Sequence, residues 1–369
     1  MPDRVVLAIG TRKGVFVAES SQDRRDFDLR GPFGEGVSVY SALIDTRREP
    51  RIYASSCNAF FGMKILVSDD LGKTFASVDA PAFSKDDGRA LANIWAMEPG
   101  VGTDEILCGV EPAAMFRSGD RGASWEMVEG ISNHEHSRKW EPGAGGLGLH
   151  TILLDGDRIH VGISTGGHYI SEDGGKTFVA SNGGVGAGFT PDPYPEFGQC
   201  VHKIARHDAA PGRLYMQNHG GWGEWDGPGG RRPDIGVLRS DDYGRTWTSI
   251  AKGLPSDFGF PIVVHPRDPD TVWVVPLEPA TRTCPGGAPA VWRSADGGGS
   301  WNRLTQGFPE KESFFTVQRD AMDIDAMPSP ALYLGTTTGQ LWIGRDGGQR
   351  WSRLFDSLPP IHCVKAAIV

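Results

Sequence analysis

Cysteine is scarce in this 369-residue chain and badly placed for a framework. Five stand far apart: Cys57, Cys108, Cys200, Cys284 and Cys363. The odd number and the lack of any Cys-x-x-Cys argue against a disulfide scaffold or a zinc knuckle. No run of 18 apolar residues occurs, which excludes a membrane-spanning helix. No basic run occurs either, and the net charge is −9. Nucleic acid and anionic membrane are therefore not expected partners, and no nucleotide cofactor is expected. No segment carries a long amphipathic helical period. The opening MPDRVVLAIG enters a strand pattern without a charged stretch and long apolar core before it, which predicts a cytoplasmic protein.

Glycine and proline are plentiful, at 51 and 26 residues, and the hydrophobic fraction of 39% suffices for a globular core. Much of the glycine falls in one recurring stretch. Its clearest copy is SDDYGRTW, 240–247. The others are SDDLGKTF (68–75), SGDRGASW (118–125), SEDGGKTF (171–178), SADGGGSW (294–301) and GRDGGQRW (344–351). Start-to-start spacings are 50, 53, 69, 54 and 50 residues. A period of this size points to a propeller or a solenoid. The spelling has a local reason. Ser and Asp side chains fold back on nearby amides, Gly supplies a positive φ, and the aromatic re-enters the core. Each copy predicts a tight hairpin between two strands.

The pattern Ser-x-Asp-x-Gly-x-x-Trp/Phe resembles the BNR or Asp-box repeat of sialidase-like and sortilin-like β-propellers. That resemblance implies a structural role for the boxes, on the face away from the ligand. β-patterned runs precede each box, such as RIHVGIS (158–164) and RLYMQNH (213–219), and a decayed box ends KGVFVAESSQDRRDF in a seventh unit. The first unit lacks an innermost strand, and the C-terminal IHCVKAAIV (361–369) lacks a blade. The expectation is one all-β domain over 1–369, a seven-bladed propeller of four-stranded blades. Residues 361–369 close the ring by joining the N-terminal blade.

In such propellers the ligand site is expected at the central channel, on the face where the innermost strands start. The loops 130–148, 181–199, 219–236 and 278–289 are long, which marks that rim as functional. Aligned on one another, the innermost strands begin with Tyr40, Asn93, His150, His202, Phe260, Phe315 and His362. His150, His202, His219 and His362 then form a candidate ligand set for a divalent metal: iron, zinc, manganese, copper or nickel. Glu111 and Glu278 are candidate catalytic carboxylates, as general base or further ligand. Tyr40, Asn93, Trp140, Trp222, Arg282 and Arg319 are candidate substrate contacts. His134 and His136 lie in the 130–148 loop, as a lid, a second ligand set or plain loop residues.

Three functions follow from different classes. The first is a metal-dependent enzyme acting on a small molecule at the histidine ring. The second is a glycoside hydrolase-like protein using rim carboxylates on a carbohydrate. The sialidase arginine pattern does not transfer, because GFPI (259–262) lacks the arginine and Arg12, Arg282 and Arg319 form no assignable triad. The third is a non-catalytic assembly scaffold, like the propellers that help build photosynthetic complexes.

Overall fold

The computed structural model describes residues 4–58, 62–220 and 236–369. Seven antiparallel four-stranded sheets follow one another around a ring. In blade 1, Ile361–Ile368 pairs with Arg4–Thr11, which pairs with Gly14–Ser21 and then Asp28–Phe33. The register runs from Val5 opposite Ile368 to Thr11 opposite Ile361. The C-terminal strand thus becomes the innermost strand of the N-terminal blade, and the ring has no open sheet edge at its seam. Blades 2 to 7 begin with Ala42–Asp45, Asn93–Pro99, Leu149–Asp155, Val201–His207, Gly259–His265 and Met322–Ile324. All five cysteines are free thiols. No helix among the described residues is long and apolar enough to cross a membrane.

Successive apolar side chains of the inner strands fill opposite wedges between blades, as Val5, Leu7 and Ile9 pack toward blade 7 and Val6 and Ala8 toward blade 2. Trp273, Tyr53, Tyr169, Tyr215 and Tyr333 are fully buried there. The repeated Ser-x-Asp-x-Gly stretches are the hairpins between the third and fourth strands. Five share one geometry. In the first, Ser68 Oγ donates to Asp70 (2.8 Å) and accepts from the Gly72 amide (2.8 Å), while Asp70 accepts from the Thr74 amide (3.0 Å) and hydroxyl (2.6 Å). The same four bonds recur about Asp120, Asp173, Asp242 and Asp296. Gly72 has φ +76°, and a Cβ there would lie 2.4 Å from Val17 of the preceding blade. Glycine is required on both counts. These hairpins therefore seal one blade against the last.

The two divergent copies depart where their spelling does. In blade 1, Ser21 Oγ still donates to Asp23 (2.7 Å), with Arg24 at φ 53° in place of the usual turn residue. In blade 7, Gly344 has no hydroxyl to offer. There the Gly348 amide donates to the Arg345 carbonyl (2.9 Å), and Asp346 itself takes φ 54°.

Candidate functional site

The innermost strands are not plain strands at their entrance. In five blades one extra residue is inserted against the second strand. It is Trp95 in blade 3, His150 in blade 4, His202 in blade 5, one of Phe260 and Pro261 in blade 6, and His362 in blade 1. A bulge of this kind turns a side chain away from the regular pleat. It also corrects the sequence alignment. Asn93 is a regular strand residue paired with Glu111, and Trp95 holds the position equivalent to His150 and His202. Phe315 is 4% exposed and packs in the core between blades 6 and 7, so it is no channel residue.

Two adjoining cavities open where these entrances meet. One, about 380 Å³, is lined by Tyr40, Trp95, Phe260, Arg282, Gln318 and Arg319 among others, and so reaches across blades 2, 3, 6 and 7. The second, about 620 Å³, lies over blades 2 and 3 and adds Asn93, Cys57 and Glu111. Tyr40, Trp95 and Gly145 belong to both. Tyr40 and Trp95 form an aromatic wall, with ring centres 5.1 Å apart and planes at 54°. His362 stacks on Tyr40 at 4.4 Å, and the Arg319 guanidinium lies 5.1 Å from the Trp95 ring. Glu111 braces the wall. Its carboxylate accepts from Trp95 Nε1 (2.8 Å) and from the Leu147 amide (3.3 Å). A Cβ on Gly146 would lie 2.1 Å from Glu111 Oε1, so the 130–148 loop reaches this carboxylate only through glycine.

Below the wall, charged residues of the innermost strands meet across the axis. Lys203 donates to Asp320, and Lys365 donates to Glu98 at 3.2 Å. Asp323 accepts from the Ala366 amide (2.8 Å), and burial raises its pKa. Such pairs need each other to be tolerated away from water. Two polar atoms have no such satisfaction, one on Arg319 in the cavity wall and one on His362 stacked behind Tyr40. Arg319 Nη1 and His362 Nε2 are buried without a hydrogen-bond partner. Buried polar atoms left unpaired are rare enough to ask for a ligand or water.

The structure thus brings together Tyr40, Arg282 and Arg319 at one cavity, and Tyr40, Asn93 and Glu111 at its neighbour. Glu278 is exposed in the turn 278–283, where its carbonyl accepts from the Arg282 amide (2.7 Å), so it stands on the blade 6 rim. Trp140 lies instead in the blade 4 core, 6% exposed, with Nε1 donating to the Tyr169 hydroxyl (2.9 Å). Burying its ring against Tyr169 outweighs display on the loop. His136 is buried beside it, 3.1 Å from the same hydroxyl and stacked on Phe197. Trp222 lies outside the described residues.

The four histidines do not converge on one point. Both ring nitrogens of His150 are engaged, with Thr151 Oγ1 (3.0 Å) and the Val201 carbonyl (2.9 Å). His362 Nδ1 meets Gln318 Oε1 at 2.9 Å. His202 and His219 do meet, Nε2 to Nδ1 at 3.2 Å. Burial lowers the pKa of all four, to about 4 for His219 and His362, so each is neutral at pH 7. Trp95 and Gln318 escaped the sequence reading, whereas Phe260 was aligned at a strand entrance without being taken as a contact. Trp95 stands in LANIWAM one bulge beyond Asn93, and no composition signal marks a bulge.

Architecture and site define a class: a seven-bladed propeller with an aromatic, arginine-bearing cavity at its axis. Comparison with known proteins narrows this. The chain is 27% identical to a xyloglucanase of a Paenibacillus species over 289 residues, 74% of this chain and 26% of that protein. It is 27% identical to a probable oligoxyloglucan-reducing end-specific xyloglucanase of Neosartorya fischeri over 322 residues, 76% of this chain and 36% of that protein. Among solved structures, the GH74 xyloglucanase of Xanthomonas campestris superposes with a TM-score of 0.62 at 18% identity, covering 98% of this chain and 52% of that one. The chain therefore spans about a quarter to a third of the curated relatives it matches. No protein-family model matches it. The likeness falls on the glycoside-hydrolase expectation and not on the histidine–metal one.

Proposed function

We propose that this propeller binds a β-glucan-type oligosaccharide, such as a xyloglucan fragment, at the axial cavity and acts on it as a glycoside hydrolase. The observation that supports this reading is the Tyr40–Trp95 wall shared by the two adjoining cavities. Sugar rings present flat C–H faces, and aromatic side chains bury those faces while polar neighbours take the hydroxyls. Arg282, Gln318 and Arg319 supply the polar neighbours. The xyloglucanase relatives supply the substrate class.

Glycoside hydrolysis needs two carboxyl groups flanking the scissile bond. Glu111 lines the second cavity, and each of its carboxylate oxygens accepts one N–H. Glu278, on the blade 6 rim beside Arg282, is its candidate partner across the cavity. In this reading Tyr40 and Trp95 seat the sugar, Arg319 and Gln318 orient it, and Glu111 moves the proton or attacks.

Titrating xyloglucan oligosaccharides while following tryptophan fluorescence, beside a reducing-sugar assay, tests the proposal. Saturable quenching that weakens about tenfold or more in Trp95→Ala, with turnover lost in Glu111→Gln, is the expected result. A folded protein whose fluorescence ignores every oligosaccharide sinks it. Binding without turnover would keep the site and remove the hydrolase.

A further inference from the structure

The axial cavity leaves a second cluster unexplained, on its blade 5 side. Cys200, His202 and His219 each offer a donor atom, and the three atoms lie within 4.8 Å of one another. They come from a Cys-x-His pair at the entrance of one strand and a histidine at the end of the next. The ladder fixes them as neighbours: Val201 pairs with Asn218, and the His219 amide donates to the Cys200 carbonyl (2.9 Å). The bulge at His202 then turns its ring toward His219 rather than away from it.

We infer that Cys200, His202 and His219 form a zinc site with an open fourth position, which keeps two of the four histidines expected from sequence and adds a cysteine. Ligand geometry supports it. Zinc takes Cys sulfur at ~2.3 Å and His nitrogen at ~2.0–2.1 Å in a tetrahedron, so its donors stand ~3.3–3.7 Å apart. The 3.2 Å between the two ring nitrogens is close to that spacing. The Cys200 sulfur lies within 4.8 Å of both nitrogens.

The surroundings prepare the donors. His202 Nδ1 lies 2.6 Å from the Gly259 carbonyl, so that nitrogen carries the proton and Nε2 presents its lone pair to the cluster. A ring N–H anchored on a carbonyl is the usual support for a metal-ligating histidine. Phe258 meets both rings edge-on, at 5.5 and 5.1 Å, and Phe260 stacks on His202 at 4.7 Å. An apolar shell of this kind excludes water. Zinc binding releases the Cys200 thiol proton to solvent and forms one Zn–S and two Zn–N bonds, with no change of oxidation state.

Phe260 lines the axial cavity and stacks on His202, so the site adjoins the cavity without sharing its polar groups. The inference is independent of the carbohydrate reading.

The test uses metal alone. Tag-free chelator-stripped protein is titrated with zinc against a chromophoric chelator, then with cobalt(II) while the spectrum is recorded. The expected result is one zinc per chain and a thiolate-to-cobalt charge-transfer band in the near ultraviolet. Cys200→Ser, with circular dichroism unchanged, should lose the band and on the order of a hundredfold in zinc affinity. His219→Ala should weaken zinc similarly while keeping the fold. Equal zinc affinity in wild type and Cys200→Ser overturns the inference. So does cobalt bound without the thiolate band. In that case the 3.2 Å contact is only a hydrogen bond between two imidazoles.

Discussion

The two faces of this ring are built on opposite rules. On one face, five hairpins repeat the same four hydrogen bonds about Asp70, Asp120, Asp173, Asp242 and Asp296, whatever blade carries them. On the other, five bulges occupy the same place in the strand ladder but carry different side chains, from Trp95 to His362. The first face repeats its side chains and hence its bonds. The second repeats only its backbone and varies what it displays. Repeated chemistry closes the blades on one another; repeated backbone with varied chemistry makes a site.

If that division holds, damage to the scaffold should cost stability and spare the ligand. The largest effect is expected at Trp273. It is fully buried in blade 6, and its Nε1 donates to the Gly347 carbonyl of the blade 7 hairpin (3.0 Å). Trp273→Ala removes a large core side chain and orphans that carbonyl, at about 3–5 kcal/mol. Urea unfolding should show the loss, and oligosaccharide affinity of the remaining folded protein should be unchanged. A comparable loss of affinity would mean the faces are not separable.

Acid should come next. The His160–His168 pair of blade 4 is wholly buried, Nδ1 to Nε2 at 3.1 Å, and burial depresses the two pKa values to about 2 and about 4. Unfolding returns both toward 6.5, so the unfolded chain binds protons that the folded chain refuses. Stability is full above about pH 6.5 and falls as the pH drops toward 4. Between pH 7 and pH 5 the pair alone should remove about 2–4 kcal/mol. His219 and His362 add to the fall in the same direction. A urea midpoint that stays flat over this interval contradicts the desolvation of these rings.

The same contrast explains how far the sequence could be read. The hairpins are written in eight consecutive residues, and each bond spans at most four positions, so spelling and geometry coincide. Blade count and ring closure follow by arithmetic from that period. Even the blade 7 departure is visible as Gly344 in place of serine. The bulges are different. One extra residue in a strand leaves no mark in composition, yet it reverses which face every later side chain takes. Counting without it placed Asn93 beside the histidines and passed over Trp95. Tyr40, Arg282 and Arg319 were found because they stand at loop and strand ends, where no bulge intervenes. Trp140 was misplaced for another reason: its partner, the Tyr169 hydroxyl, lies in a different strand.

On the variable face the prediction is reversed. Trp95 is half-buried, and its loss frees Glu111 from one of two donors without emptying a closed core. Trp95→Ala should cost about 1–2 kcal/mol of stability, below the buried-aromatic range. Its effect on oligosaccharide binding should exceed its effect on unfolding. A Trp95→Ala protein as unstable as Trp273→Ala would place Trp95 in the scaffold and weaken the proposed wall.

The smallest expected effect is also the sharpest test of the hairpin argument. Asp242 accepts from the Thr246 amide (2.9 Å) and hydroxyl (2.6 Å) and from Ser240 Oγ (2.7 Å). Asp242→Ala deletes that cap, much as loss of a helix N-cap does, and should cost about 1 kcal/mol. Asp346 holds the same place in the blade 7 copy, but Gly344 and Arg350 have replaced its two hydroxyl partners, and its backbone sits at φ 54°. Asp346→Gly therefore gives up no cap and relieves a left-handed non-glycine, so stability should stay within about 0.5 kcal/mol or rise. Equal losses at the two aspartates would show that the Asp position matters for a reason other than these bonds. Unequal losses, in the stated order, tie the repeat to the hydroxyl partners and explain why blade 7 could let its serine go.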